Sequence, residues 1–342
     1  MGLGASTSTP TPEPPAQQLT AEELRTRLNG LNITPPRNAS LQDLMELWEE
    51  ANKPKPGLFK QLSMGYDELV GAIIRPPRIN YTMESLGRRV FRVEGFGDKE
   101  FERLDFDLVN ARGHKLVCSW WTPRLGATED PQPAVIYLHG NSSCRAEALD
   151  VISTVLGQEC SLLAFDFSGC GISDGEYVSL GFYESQDLKC VVEYLRASGR
   201  VSTIGLWGRS MGAVTAIMYV QMDPSIACLI LDSPFSSLKN LARDLVDSQQ
   251  LRVPRFALSI GLRIIRSSIK SRAGFDINAL EPIEIVPTCF VPALFGAGED
   301  DDFIPPQVVL HFFFPFGSTN VIFSARSRFT CCICWRQEYR HL

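Results

Sequence analysis

Thr203-Ile204-Gly205-Leu206-Trp207-Gly208-Arg209-Ser210-Met211-Gly212-Ala213-Val214-Thr215-Ala216-Ile217-Met218-Tyr219-Val220 is the stretch on which the reading of this chain turns. Thr203 to Trp207 is a short apolar run with strand character, and Ala213 to Val220 reads as the start of a buried helix. Between them lies Gly208-x-Ser210-x-Gly212. A Gly-x-Ser-x-Gly alone is a weak signal, since a loop serine can sit in one by chance. With a strand before it and a helix after it, the pattern describes a sharp turn that holds its serine in a strained backbone and presents the hydroxyl as a nucleophile. Gly208 and Gly212 are small because strand and helix nearly touch there. The Met211 amide is the expected donor to a developing oxyanion.

Working outward, the sequence alternates strand and helix from Pro133 onward. Strands are expected at Ala134 to Leu138, Leu162 to Phe167, the 203–207 run, Ala227 to Leu231 and Cys289 to Phe295, with helices at Arg145 to Leu156 and Tyr183 to Ala197. Such alternation means a mostly parallel sheet with helices on both faces, with ligands at the carboxyl ends of the strands. Ahead of it, residues 102–109 and 114–121 form a hairpin turning at Arg112-Gly113, in which Leu116, Cys118 and Trp120 answer Leu104, Phe106 and Leu108. Leu258, Leu262, Ile265 and Ile269 mark one helical face, flanked by Arg255, Arg263, Arg266 and Lys270. This helix is expected to pack over the core, with an apolar lid touching lipid as the alternative.

The strand at Ala134 to Leu138 runs into His139-Gly140-Asn141-Ser142-Ser143. In a serine hydrolase the second oxyanion donor comes from this loop, and the Asn141 amide is the expected donor, with Ser142 next. His139 is expected to hold the loop rather than to act as a base. The acid should follow a later strand. Gly298-x-x-Asp301-x-x-Ile304 provides Asp301, with Asp300 and Asp302 as neighbouring registers and Asp232 as the fallback. Gly169-Cys170-Gly171 with Gly175 imitates a dinucleotide fingerprint, but the third glycine is one residue too late and no helix opens there.

The His139 loop, Asp166-Phe167-Ser168-Gly169-Cys170-Gly171-Ile172-Ser173, the Ser210 turn, Leu231-Asp232-Ser233-Pro234-Phe235 and the Asp301 loop together resemble the α/β-hydrolase superfamily, in the serine-aminopeptidase-like branch related to acyl-protein thioesterases. The resemblance covers roughly residues 100–307 and implies an α/β-hydrolase fold with a small helical lid at 236–286. It implies a Ser210 nucleophile acting on an ester, thioester or amide carbonyl of a small-molecule or acyl-protein substrate, with no cofactor and no metal.

The triad order of this superfamily is serine, acid, histidine, and the histidine is the difficulty. Of four histidines, only His311 and His341 follow Asp301, and neither lies in a recognisable Gly-His loop. Residues 308–342 hold one acid, six phenylalanines and Cys331-Cys332-Ile333-Cys334. They read as a divergent tail, such as a translated intron would give, with the last strand region missing. The expectation is therefore an impaired hydrolase; the alternative is a non-catalytic pseudo-hydrolase serving as a lipid-binding or protein-interaction scaffold.

The remainder divides into a leader at 1–19, rich in Ser, Thr, Pro and Gln and expected to be disordered, a helical hairpin and linker at 20–56, and a lead-in at 57–100, before the hydrolase domain at 101–307. Thr20 and Ser40 are the expected caps of the hairpin helices. The hairpin resembles the small DNA-binding modules called SAP domains, yet it carries at least as many acids as bases, which speaks against phosphate binding. Gly2 with Ser6 fits N-myristoylation, which gives at most a weak membrane contact. A net charge of −6 over 342 residues argues against a nucleic-acid or anionic-membrane binder. The ten cysteines have no framework spacing through the body of the chain, and no signal-peptide core opens it. Reduced thiols in the cytoplasm, with possible membrane association, are expected; oligomeric state is not legible.

Overall fold

The computed structural model describes residues 20–30, 34–36, 39–52, 66–67, 70–124, 130–237, 255–298 and 321–324. The chain divides into two compact units, Met1–Tyr66 and Asp67–Leu342. In the first, helices α1 (Ala21–Gly30) and α2 (Leu41–Asn52) pack through Leu24, Leu28, Leu44 and Trp48. Each begins with a reciprocal cap. The Thr20 N–H donates to Glu23 Oε2 at 2.8 Å while the Glu23 N–H donates to Thr20 Oγ1 at 3.4 Å, and Ser40 with Asp43 repeats the arrangement. Arg25 ties the connection down by donating to the carbonyls of Pro36 and Ala39.

The second unit is built on one nine-stranded sheet: β1 (Val90–Arg92), β2 (Glu100–Val109), β3 (Lys115–Pro123), β4 (Gln132–Leu138), β5 (Ser161–Phe165), β6 (Val201–Arg209), β7 (Cys228–Asp232), β8 (Ala293–Gly296) and β9 (Val321–Ser324). Their order is β1-β2-β3-β5-β4-β6-β7-β8-β9. β1, β2, β3 and β5 pair antiparallel in turn, and every pair from β5 through β4 to β9 is parallel. The β2–β3 register puts Leu104 opposite Trp120, Phe106 opposite Cys118 and Leu108 opposite Leu116, the facing expected from their alternation. Helices α3 (Ile152–Gly157), α4 (Glu184–Ala197), α5 (Met211–Val220), α6 (Arg255–Ala273) and α7 (Pro282–Ile285) complete the fold. Phe101, Trp121, Tyr137, Ala164 and Trp207 are buried together on one side of the sheet, and α5, apolar almost throughout, is itself buried. The fold is that of the α/β-hydrolases, with helices flanking a mixed sheet.

Three elements differ from the sequence reading. Arg145 to Leu156 is a 3₁₀ turn, Arg145–Asp150, followed by α3, rather than one helix. The last strand of the expected set does not start at Cys289: Val286–Thr288 is a 3₁₀ turn, and β8 begins only after Pro292, whose missing N–H cannot join the ladder. Nor is the last strand region missing. Val321, Ile322 and Phe323 pair in parallel with Ala293, Leu294 and Phe295 as β9. A four-residue strand is too short for periodicity to separate it from an apolar tail.

In α6, Leu262 and Ile265 are half-buried and Ile269 is fully buried, so the expected face is turned inward, while the Leu258 side chain lies outside the described residues. Ile260 and Ile264 stand on the exposed side. Among the described residues no helix is long and apolar enough to cross a membrane.

Candidate active site

The carboxyl ends of β4, β6 and β7 meet at Ser210. The residue follows the last position of β6, precedes the first of α5, and has φ 51° and ψ −113°. This is a region that L-residues avoid, so the turn holds its serine under strain. The glycines show why the turn can be so tight. A Cβ on Gly212 would lie 1.9 Å from the Leu138 carbonyl oxygen, and one on Gly208 would lie 2.4 Å from the Gly212 carbonyl carbon and oxygen. Helix α5 therefore runs directly against β4 and β6. The Ser210 N–H donates to the Asp232 carbonyl at 2.7 Å, and the Val214 N–H donates to the Ser210 carbonyl at 3.0 Å to start the helix. Met211, fully buried, is the first residue of α5, where a helix leaves its N–H groups without intrahelical partners.

The loop after β4 lies against this turn. A Cβ on Gly140 would be 4.0 Å from Ser210 Cβ, so the segment bearing Asn141 adjoins the nucleophile turn. Ser142 has φ 56°, a left-handed kink within the same loop. The Asn141 Oδ1 atom is buried without a hydrogen-bond partner. His139 is completely buried: the Phe167 N–H donates to Nε2 at 3.2 Å, which leaves Nδ1 to donate to the Gly140 carbonyl at 2.8 Å. Both ring nitrogens are committed, and the imidazole holds the loop rather than facing a substrate.

Behind the loop lies a buried ionic cluster. Asp166 accepts from the Arg145 N–H at 2.7 Å, the Ile172 N–H at 3.0 Å and the Tyr81 hydroxyl at 2.6 Å, and pairs with the fully buried Arg145 guanidinium at 3.6 Å. Burial, with the Asp166 charge next in weight, pushes the Tyr81 hydroxyl far above the ordinary phenol range, so it stays a donor. Gly171 is obligatory here, because a Cβ on it would meet the Asp166 carboxylate at 2.3 Å. In the sequence Asp166 is only part of a motif, and Tyr81, in the lead-in segment, carries no signal of a role. Nothing in local periodicity links these positions.

Asp232, the fallback acid, closes β7 and is partly exposed. Its carboxylate accepts from the Ser233 hydroxyl at 3.1 Å and lies 3.8 Å from Arg209 Nε. Asp301, its neighbours Asp300 and Asp302, and both late histidines, His311 and His341, lie outside the described residues, as does Gly2. The structure thus brings together Ser210, Met211, Asn141 and Asp232. The seven described cysteines are free, and burial raises every one of their thiols, which are therefore protonated and weakly nucleophilic at neutral pH.

Comparison with known proteins agrees with the fold. The family described as "Serine aminopeptidase, S33" matches residues 129–275. The uncharacterized protein YqkD of Bacillus subtilis is 32% identical over 211 residues, covering 60% of this chain and 66% of that protein. Lysophosphatidylserine lipase ABHD12 of Gallus gallus is 30% identical over 143 residues, covering 39% of this chain and 35% of the lipase. The match thus spans just under two thirds of the Bacillus protein and about a third of the lipase. Among solved structures, the Pyrococcus furiosus esterase Pf2001 superposes with a TM-score of 0.54 at 24% identity, covering 75% of this chain and 89% of the esterase. The Pyrococcus horikoshii acylaminoacyl peptidase gives 0.50 at 15% identity, covering 67% and 37%. At these identities the two structures speak for fold alone. The chain has the α/β-hydrolase fold of the S33 esterase- and peptidase-like superfamily and is similar to esterase- and lipase-type proteins of it.

Proposed function

We propose that Ser210 is the nucleophile of a hydrolase that attacks an ester, thioester or amide carbonyl, with the Met211 and Asn141 amides stabilising the oxyanion and Asp301 as the acid. The observation that carries this reading is the strained Ser210 backbone at the carboxyl end of β6 with the Gly140 loop against it. Similarity to lysophosphatidylserine lipases favours a lipid ester as substrate over a peptide or an acyl-protein thioester. Turnover by this chain is expected to be low. His139 is committed to the loop, His114 belongs to the β2–β3 turn, and the other two histidines lie in residues 308–342. Loss of one triad member leaves roughly 10³–10⁴-fold catalysis over water.

The placement of the histidines, with His139 committed to the loop, favours a second reading, a pseudo-hydrolase that binds a lipid or a protein without turning it over. A fluorophosphonate probe and an ester assay separate the two. Labelling that disappears in Ser210→Ala, with ester turnover lost alongside it, supports the hydrolase. Folded protein that neither labels nor turns over the ester supports the scaffold. If Ser210 acts as an impaired nucleophile, His311→Ala and His341→Ala leave the residual rate unchanged; a fall in either identifies the base.

A further inference from the structure

Gly140 sits where three groups converge. A Cβ on it would lie 3.7 Å from the Arg209 carbonyl oxygen, 3.9 Å from Glu147 Oε2 and 4.0 Å from Ser210 Cβ. Glu147 belongs to the 3₁₀ turn after the loop, and its side chain is 8% exposed. Its Oε2 accepts from the Gly140 N–H at 3.4 Å. Its Oε1 accepts from the Tyr137 hydroxyl at 2.9 Å and from Arg209 Nη1 at 3.3 Å. One carboxylate thereby joins the end of β4, the loop that follows it, and the residue immediately before Ser210. Arg209 extends the chain of contacts to Asp232 Oδ2 at 3.8 Å, and the Asp232 carbonyl in turn receives the Ser210 N–H at 2.7 Å.

A buried carboxylate costs solvation free energy and survives when paired and hydrogen-bonded. Beside a loop that must hold a developing oxyanion it carries a second cost, repulsion of like charge, unless a cation cancels it. Arg209 is placed to do so. Burial works against its charge, but Glu147 and Asp232 outweigh that and hold the guanidinium more firmly protonated than usual.

We propose that Glu147 and Arg209 are a positioning pair for the oxyanion loop: Glu147 fixes the direction of the backbone at Gly140 and so of the following amide, and Arg209 neutralises Glu147 and couples the loop to the nucleophile turn. The proposal rests on Ser210 being the nucleophile. Neither residue touches the reacting carbonyl.

The test uses the full chain, p-nitrophenyl acetate, and the variants Glu147→Gln, Arg209→Met and the two combined. Glu147→Gln keeps the shape and removes the charge; kcat is expected to fall roughly tenfold with KM little changed. Arg209→Met leaves a bare carboxylate beside the oxyanion, and kcat is expected to fall roughly a hundredfold. The double variant is expected to recover to the level of Glu147→Gln, because removing the carboxylate removes the need for its counter-ion. Hydrogen exchange of the 139–144 segment provides a readout independent of turnover. Both single variants are expected to speed it at least about tenfold while leaving the β2–β3 hairpin unchanged. Exchange in the loop identical to the parent chain in both variants overturns the proposal, as does a double variant whose losses simply add. If Ser210→Ala leaves the ester rate unchanged, the nucleophile reading has failed, and the exchange experiment still decides whether the pair holds the loop. Arg209 is more than half exposed, so Arg209→Met keeps the test open if Glu147→Gln fails to fold.

Discussion

Ser210 has a backbone in which any side chain is a burden, and this gives a sign that can be measured. Replacing alanine by glycine in ordinary structure costs about 0.5–1 kcal/mol. At position 210 the order should reverse, with Ser210→Gly more stable than Ser210→Ala by about 1 kcal/mol in chemical denaturation, because only glycine tolerates φ 51° with ψ −113° at little cost. Equal stabilities, or the usual order, would show the turn to be relaxed. The Ser210 position, its two glycines and the His139 loop were legible in the sequence because each is a short string of residues whose chemistry and geometry are local. Glu147 and Tyr81 were not legible. Their roles come from strands that meet in space, and an acid in a turn or a tyrosine in a lead-in carries no local mark of that meeting.

The glycines of two elements make opposite predictions. At the junction of β4, β6 and α5, Gly212→Ala pushes a methyl into the Leu138 backbone, and neither partner can yield without parting helix from sheet. A loss of about 3 kcal/mol or more is expected, with any Ser210 reactivity falling too. In α6, a Cβ on Gly261 meets nothing within 4 Å, so Gly261→Ala should stabilise by about 0.5–1 kcal/mol through helix propensity. Thermal unfolding of the two variants beside the parent chain checks both signs. Where α4 and α5 end, Asp223 accepts from the Tyr219 hydroxyl at 2.9 Å and Ser225 Oγ at 2.7 Å and pairs with Arg196 at 2.8 Å. Burial opposes its charge, but these partners outweigh it and hold the carboxyl down at about 2. A depressed carboxyl stabilises the fold fully above the ordinary value of 3.8 and loses that contribution as pH falls through about 2. Discounted for screening, the contribution is about 1–2 kcal/mol. The stability gap between the parent chain and Asp223→Asn should therefore be widest near neutral pH and shrink to a fraction of that by about pH 2.5. A gap independent of pH would show that the carboxylate does not carry it.

Across the whole sheet, the sequence reading found the alternating strands and the hairpin register but not the far edge. β9 was missed because its four residues sit in a segment whose composition resembles no closing element of the superfamily. Its pairing has a direct test. A chain ending at Gln307 lacks β9 and leaves the β8 backbone groups from Ala293 to Gly296 as a bare edge. Such an edge invites pairing with another molecule. The shortened protein should therefore show a lower melting temperature and concentration-dependent association in light scattering. A truncated protein as stable and as dispersed as the parent would mean that β9 contributes nothing to the sheet.

The strand order also sets a clock. β4 pairs with two strands made after it, through Ala134 with Ser161 on one side and Ala134 with Ile204 on the other. Neither pairing can form until a long loop has closed, and the entropy of closure is spent before the contact rewards it. Refolding of the second unit should be slow, with the β4–β6 contact formed in its transition state. Shaving a methyl from Ile136, whose partner is Leu206, should then slow refolding in proportion to the stability it removes. The comparable change at Val90 in β1, which borders the sheet and leans only on β2, should leave the refolding rate alone and hasten unfolding instead.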